Sequence, residues 1–146
     1  MIDQQQLEIR DATRAQAENA IRWLKAEVSE EGGFYHNRGI IREAARDSEM
    51  KCLCLGRRVL GFAVCTHSNP RAKIDIFEIR PRYRGQGLGR LFASRVFDIL
   101  FTNAARSIQV ECAPRSSQPF WIKLGFSPEP GQPATGSNPR LTLRRH

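Results

Sequence analysis

With 146 residues, 40% of them hydrophobic, the chain has material for one buried core, and no stretch reaches the roughly 18 apolar residues that a membrane-spanning helix needs. Met1 to Gln6 carries no basic segment followed by an apolar run, so the expected location is the cytoplasm. The 23 basic and 15 acidic residues give a formal net charge of +8, which fits either a solvated basic surface or one that attracts an acidic partner such as tRNA or an acidic protein.

Leu7 to Arg10 reads as a short strand, and Thr13 with Gln16 three residues on has the form of a capping box. Ala17, Ala20, Ile21, Leu24 and Val28 recur at helical spacing until Ser29 to Gly33 breaks the pattern. Phe34, Tyr35 and His36 stand in a loop before a second helix carried by Ile40, Ile41, Ala44 and Ala45. Lys51 to Leu55 and Val59 to Thr66, joined by Gly56-Arg57-Arg58, predict a hairpin. In it Cys52 and Cys54 share a face and pack as small apolar groups rather than as a disulfide, and the four cysteines lack the spacing of a metal site.

After a turn at Asn69-Pro70-Arg71, Ile74 to Ile79 forms a fourth strand. Leu88, Leu91, Phe92, Val96, Ile99 and Leu100 give the following helix a broad apolar face. Ser107 to Cys112 is a fifth strand. Ser127 to Pro139, with four prolines and two glycines, reads as an extended loop before a final edge strand at Leu141 to Leu143.

The organising stretch is Arg84-Gly85-Gln86-Gly87-Leu88-Gly89, placed between a strand and a helix. Its glycines permit a tight turn and a close approach of backbone N–H groups to a ligand, and the helix start adds unpaired donors and the positive end of its dipole. Such a loop suits phosphate. It is no Walker loop, because Arg90-Leu91 follows Gly89 where Lys-Ser/Thr is needed, and its spacing is not that of a dinucleotide fingerprint.

Arg84-x-x-Gly87-x-Gly89 resembles the pyrophosphate loop, Arg/Gln-x-x-Gly-x-Gly/Ala, of the GNAT superfamily of acyl-CoA-dependent N-acyltransferases. Ile79 to Gly87 is similar to that family's strand-to-loop passage, Val59-Leu60-Gly61-Phe62 to its third strand, and Trp121-Ile122-Lys123-Leu124-Gly125-Phe126 to its second signature. The resemblance implies a single α/β domain over residues 1–146, with a mixed, mostly antiparallel sheet, splayed central strands and flanking helices. It implies transfer of an acetyl or short acyl group, with acetyl-CoA as acyl donor, held by the backbone near Ile79 and by Arg84, Gly85, Gln86, Gly87, Leu88, Gly89 and Arg90. The acceptor is an amine of a small molecule or protein, or of an aminoacyl-tRNA in the reading that uses the basic charge. A non-catalytic CoA-binding module is the third reading.

Acyl transfer needs a neutral amine, so a proton must leave through a carboxylate, a histidine or water. Glu78 and Glu111, on the strands flanking the splay that the resemblance implies, are the two candidate bases. Tyr35 and His36 are candidate acceptor contacts on the connection that lines the acceptor side in the family, while Phe34 is read as a core anchor. Trp121 stands where many members carry a tyrosine that protonates the departing thiolate, and an indole N–H does not deliver a proton at useful pH. Tyr35, Ser116 or water is left for that step, with Trp121 as an acceptor contact. Were Phe120 and Trp121 to face solvent or a neighbouring chain, they would form part of a homodimer interface.

Overall fold

The computed structural model describes residues 2–27, 34–112, 115–131 and 138–145, with the side chain of Phe34 set aside. Val28, the Ser29–Gly33 break and residues 132–137 of the Ser127–Pro139 tail lie outside these residues. The elements in chain order are β1 (Leu7–Asp11), α1 (Arg14–Ala26), α2 (Arg38–Arg46), β2 (Met50–Leu55), β3 (Arg58–Thr66) and β4 (Arg71–Ile79). They continue with α3 (Leu88–Thr102), β5 (Ser107–Glu111), α4 (Gln118–Lys123), β6 (Ser127–Pro128) and β7 (Arg140–Arg144). The strands form one mixed sheet in the order β1-β2-β3-β4-β5-β7-β6. β4 and β5 run parallel, and β1–β2, β2–β3, β5–β7 and β6–β7 are antiparallel.

Contacts divide the chain into two compact units, Met1–Cys65 with Ile76–Phe92, and Thr66–Asp75 with Ala93–His146. In the first, α1 opens on the capping box: Gln16 N–H donates to Thr13 Oγ1 at 3.1 Å and Thr13 N–H to Gln16 Oε1 at 2.9 Å. The helix buries Ala17, Ala20, Ile21, Trp23 and Leu24 in a core that includes Ile41, Met50, Cys52, Cys54 and Phe62. Trp23 meets Phe62 edge-on, with ring centroids 5.6 Å apart. Cys52 and Cys54 are free thiols buried in that core, and burial pushes the Cys52 thiol up to about 12, so both act as small apolar groups.

α2 differs from its periodic reading: Ile41 and Ala44 are buried, but Ile40 is 50% exposed. A helix this short presents one narrow stripe, and successive residues lie 100° apart around it.

The β2–β3 hairpin turns at Gly56, whose φ of +59° only glycine adopts without strain. Its register shifts between Leu53 and Cys54, which face Gly61 and Val59, so Leu60 is an extra residue on β3. The Leu60 carbonyl accepts from Arg80 N–H at 2.8 Å, which fixes the point where the chain leaves β4. One residue on, a Cβ at Gly61 would lie 2.7 Å from the Glu78 carbonyl oxygen and 2.7 Å from Ile79 Cδ1. Glycine there lets β3 close on the end of β4.

In the second unit, Ile108, Val110 and Leu141 are buried, and Phe126 meets both Phe97 and Trp121 at 5.4 Å between ring centroids. β4 starts at Arg71, three residues before the apolar run that announced it. Arg71 to Ile76 alternates exposed and buried, the period of a strand with one wet face, and Arg71–Ile74 pairs with Ser107–Val110. The final strand is not an edge, because β7 lies between β5 and the two-residue β6, and Thr142 faces both Gln109 and Ser127. A strand as short as β6, containing Pro128, left only a loop-like pattern in the sequence.

Candidate active site

At the end of β4 the chain turns through Pro81–Tyr83, where Tyr83 N–H donates to Arg80 O at 2.8 Å and Arg84 N–H to Pro81 O at 3.2 Å. Proline suits the first position of such a turn because its missing N–H would be unsatisfied there. The Tyr83 ring is buried and roots the turn, and Leu88 is buried at the other end of the loop, opening α3.

Between these anchors Gly85, Gln86 and Gly87 are exposed, with φ of +80° at Gly85 and +79° at Gly87. A Cβ at either glycine would meet nothing within 4 Å. Glycine is therefore demanded by backbone conformation and not by crowding. Among the described residues no backbone carbonyl accepts from the loop N–H groups of Gly85, Gln86 and Gly87, while Gly87 O already accepts Leu91 N–H at 3.2 Å. Leu88, Gly89 and Arg90 form the first turn of α3, whose N–H groups have no intrahelical acceptor. A run of unsatisfied donors beside open space is an anion cradle, and it fits a pyrophosphate. The exposed Arg90 stands in the same turn.

Arg84 is differently employed from its sequence reading as a cofactor contact. Nε donates to the Ile79 carbonyl, Nη2 to Glu78 Oε2 and Nη1 pairs with Glu27 Oε1, each at 2.8 Å. It staples the loop to the strand it leaves, and two carboxylates already share its charge. One lone pair of the Ile79 carbonyl is likewise taken.

Glu78 is brought together with Ile79 and Arg84. Its side chain is 19% exposed, and burial pushes the carboxyl up to about 7; Arg84 opposes that rise and Glu27 adds to it. A carboxyl poised there takes and returns protons near neutral pH. Glu111, in the second unit, is exposed at the end of β5 and faces Arg140 across the ladder with β7. Tyr35 and His36 lie in the turn Phe34–Asn37; Tyr35 is half-buried against the first unit's core with the Arg38 guanidinium 4.7 Å from its ring centre, and His36 is exposed. Trp121 is 5% exposed and held between Phe120 and Phe126. Its ring is core and offers no face to solvent for an interface between chains.

Sequence reading missed Glu27. Its signal was an acid at the C-terminal end of a helix, where the dipole favours cations such as the neighbouring Lys25.

The sequence profile of the Acetyltransferase (GNAT) family matches residues 10–126. No curated protein matches the chain. Among solved structures, the PaiA N-acetyltransferase of Thermoplasma acidophilum in complex with coenzyme A is similar over 95% of this chain and 99% of its own, at 15% identity and a TM-score of 0.74. An acetyltransferase from Thermus thermophilus is similar over 95% and 97% of the two chains, at 16% identity and 0.74. A Mycobacterium tuberculosis protein in complex with CoA is similar over 95% and 99%, at 16% identity and 0.74.

Proposed function

The chain belongs to the GNAT family of acetyltransferases and uses acetyl-CoA as acyl donor, and we propose that residues 1–146 act as one such domain, transferring the acetyl group to an amine of a small molecule or protein by direct attack in a ternary complex. The donor's pyrophosphate sits on the N–H groups of residues 85–90, and its arm runs along the backbone at Ile79. The acceptor nitrogen gives its ammonium proton to Glu78, which passes it to water, and attacks the thioester carbonyl; the carbon–sulfur bond breaks, and the second proton lost from the nitrogen replaces the one that the CoA thiolate takes on leaving. Tyr35 is the residue assigned to return that proton, since Trp121 is buried and its indole does not release one. The observation that carries the reading is the carboxyl of Glu78, largely withdrawn from water and raised toward neutrality by that partial burial, one residue from the strand end that opens into the loop.

The formal charge of +8 supports a second acceptor class, an aminoacyl-tRNA. For it the acceptor affinity should fall steeply with salt, whereas that of a small amine should hardly change.

Calorimetric titration with acetyl-CoA and with CoA, followed by mass spectrometry of amines, peptides and charged tRNA incubated with the donor, tests the proposal. Donor binding with acetyl transfer to one acceptor class supports it and names the class. Transfer at the same rate and pH dependence by Glu78→Gln would overturn the role of Glu78, and absence of CoA binding would overturn the loop assignment.

A further inference from the structure

The Arg84 guanidinium carries its five N–H donors on three nitrogens of a rigid plane, and each nitrogen engages a different group: the Ile79 carbonyl on Nε, Glu78 on Nη2 and Glu27 on Nη1. A guanidinium gripped at all three nitrogens cannot swing to favour one partner. Two of the partners are neighbours on β4. The third comes from the far side of the chain's first helix, and it is the unexpected one.

Glu27 caps α1 at its C-terminal end, where unpaired carbonyls give a partial negative charge and an added carboxylate is locally unfavourable. Lys25 offsets the dipole in that last turn, and the Glu27 carboxylate itself is paired with Arg84. A residue that breaks a local rule and reaches a distant group for its partner marks a place where the local cost serves the site.

We propose that Glu27 is a positioning residue for Glu78: by holding one end of the Arg84 guanidinium it fixes the other end on the Glu78 carboxylate and keeps part of the arginine's charge from it. This rests on the reading of Glu78 as the base. A carboxylate with a whole guanidinium to itself is held far below neutrality and is a poor proton acceptor. One that shares its arginine with a second carboxylate is held less strongly, yet still oriented. The charged groups acting on Glu78 are Arg84, which lowers its proton affinity, and Glu27, which raises it, on top of the larger effect of burial.

Glu27→Gln keeps an oxygen acceptor for Nη1 and removes the charge, and with the side chain 32% exposed the change leaves the fold intact. The Glu78 carboxyl, identified by its absence in Glu78→Gln, is titrated by carbon NMR in the free protein. Glu27→Gln should lower the midpoint by about 0.5–1, and in an Arg84→Gln background the same change should shift it by less than half as much. An unmoved midpoint would overturn the proposal, leaving Glu27–Arg84 a surface ion pair. So would a shift as large without Arg84, since Glu27 would then act by its charge alone. No donor or acceptor is present in the titration, so its outcome is separate from whether acetyl transfer by Glu78 is upheld.

Discussion

Along β4, Arg71–Ile74 is laddered residue for residue onto β5, whereas the ladder has stopped before the strand reaches Glu78 and Ile79. In the first stretch polar residues face water and apolar ones the core, so Arg71 and Lys73 are exposed between buried Ala72 and Ile74. In the second, an ionisable side chain is drawn partly out of water, the backbone beneath it lies against a glycine of β3, and the strand's last carbonyl is held by an arginine from the loop. One backbone thus supplies both sheet and candidate site. The ladder makes a strand end inert, and its absence together with close packing from the other side makes a strand end chemical.

The strongest way to break the comparison is to disable the loop at the open end. Gly87→Trp should weaken acetyl-CoA binding by at least about 100-fold, a loss on the order of 3 kcal/mol. A Cβ at Gly87 meets nothing within 4 Å, but a φ of +79° is strained for any side chain, and the ring would stand where the phosphate must approach. Calorimetry with CoA measures it, and unchanged affinity would remove the loop from the donor site.

Next comes the carboxyl. Glu78→Gln should lower turnover by about 100-fold or more, the usual worth of a general base, while CoA affinity stays close to that of the native protein. Rate against pH gives a second signature, since the native profile should rise through about pH 7 as Glu78 loses its proton. That rise should vanish in the variant.

How much of this was legible in the sequence follows from the kind of force at each place. The loop was legible because its glycines answer a backbone requirement that leaves a residue-type signature, φ of +80° and +79°. The capping box at Thr13 and Gln16 was legible because the interaction spans only three residues. Glu78 could be singled out as an acid in an apolar run, but the Arg84 it shares with Glu27 needed the fold, since Glu27 stands at the far end of α1 in the sequence. Trp121 was read by its place in a motif as a contact for substrate, and the structure spends its ring on Phe120 and Phe126. β7 looked like an edge because a two-residue strand carries no period.

Gly61 sharpens the contrast from the β3 side. Gly61→Ala would set a methyl 2.7 Å from the Glu78 carbonyl oxygen, a backbone atom that cannot rotate away. Forced separation of β3 from β4 should cost about 1–3 kcal/mol in denaturant unfolding and should also lower turnover, because Glu78 and Ile79 move with the strand. A fully stable Gly61→Ala variant would show that the strand end has slack.

The weakest effect is a matter of pH. The folded Glu78 carboxyl keeps its proton up to about 7, whereas in the unfolded chain it is released near the ordinary 4.5. The folded state therefore binds more protons between those values, so the stability linked to this group is complete below about pH 4.5 and is lost as pH rises through 7. The loss should be on the order of 2 kcal/mol, read as the unfolding free energy at pH 5 minus that at pH 8, relative to Glu78→Gln, which carries no such proton. Lys73→Ala, on the laddered half of the same strand, is the control. Its side chain is exposed, so its stability should stay within about 0.5 kcal/mol of the native protein's, with the native difference between pH 5 and pH 8 retained. If Glu78→Gln kept that difference in full, the carboxyl at the open end of β4 would be as well solvated as any at the laddered end, and the contrast between the two halves would rest on the loop alone.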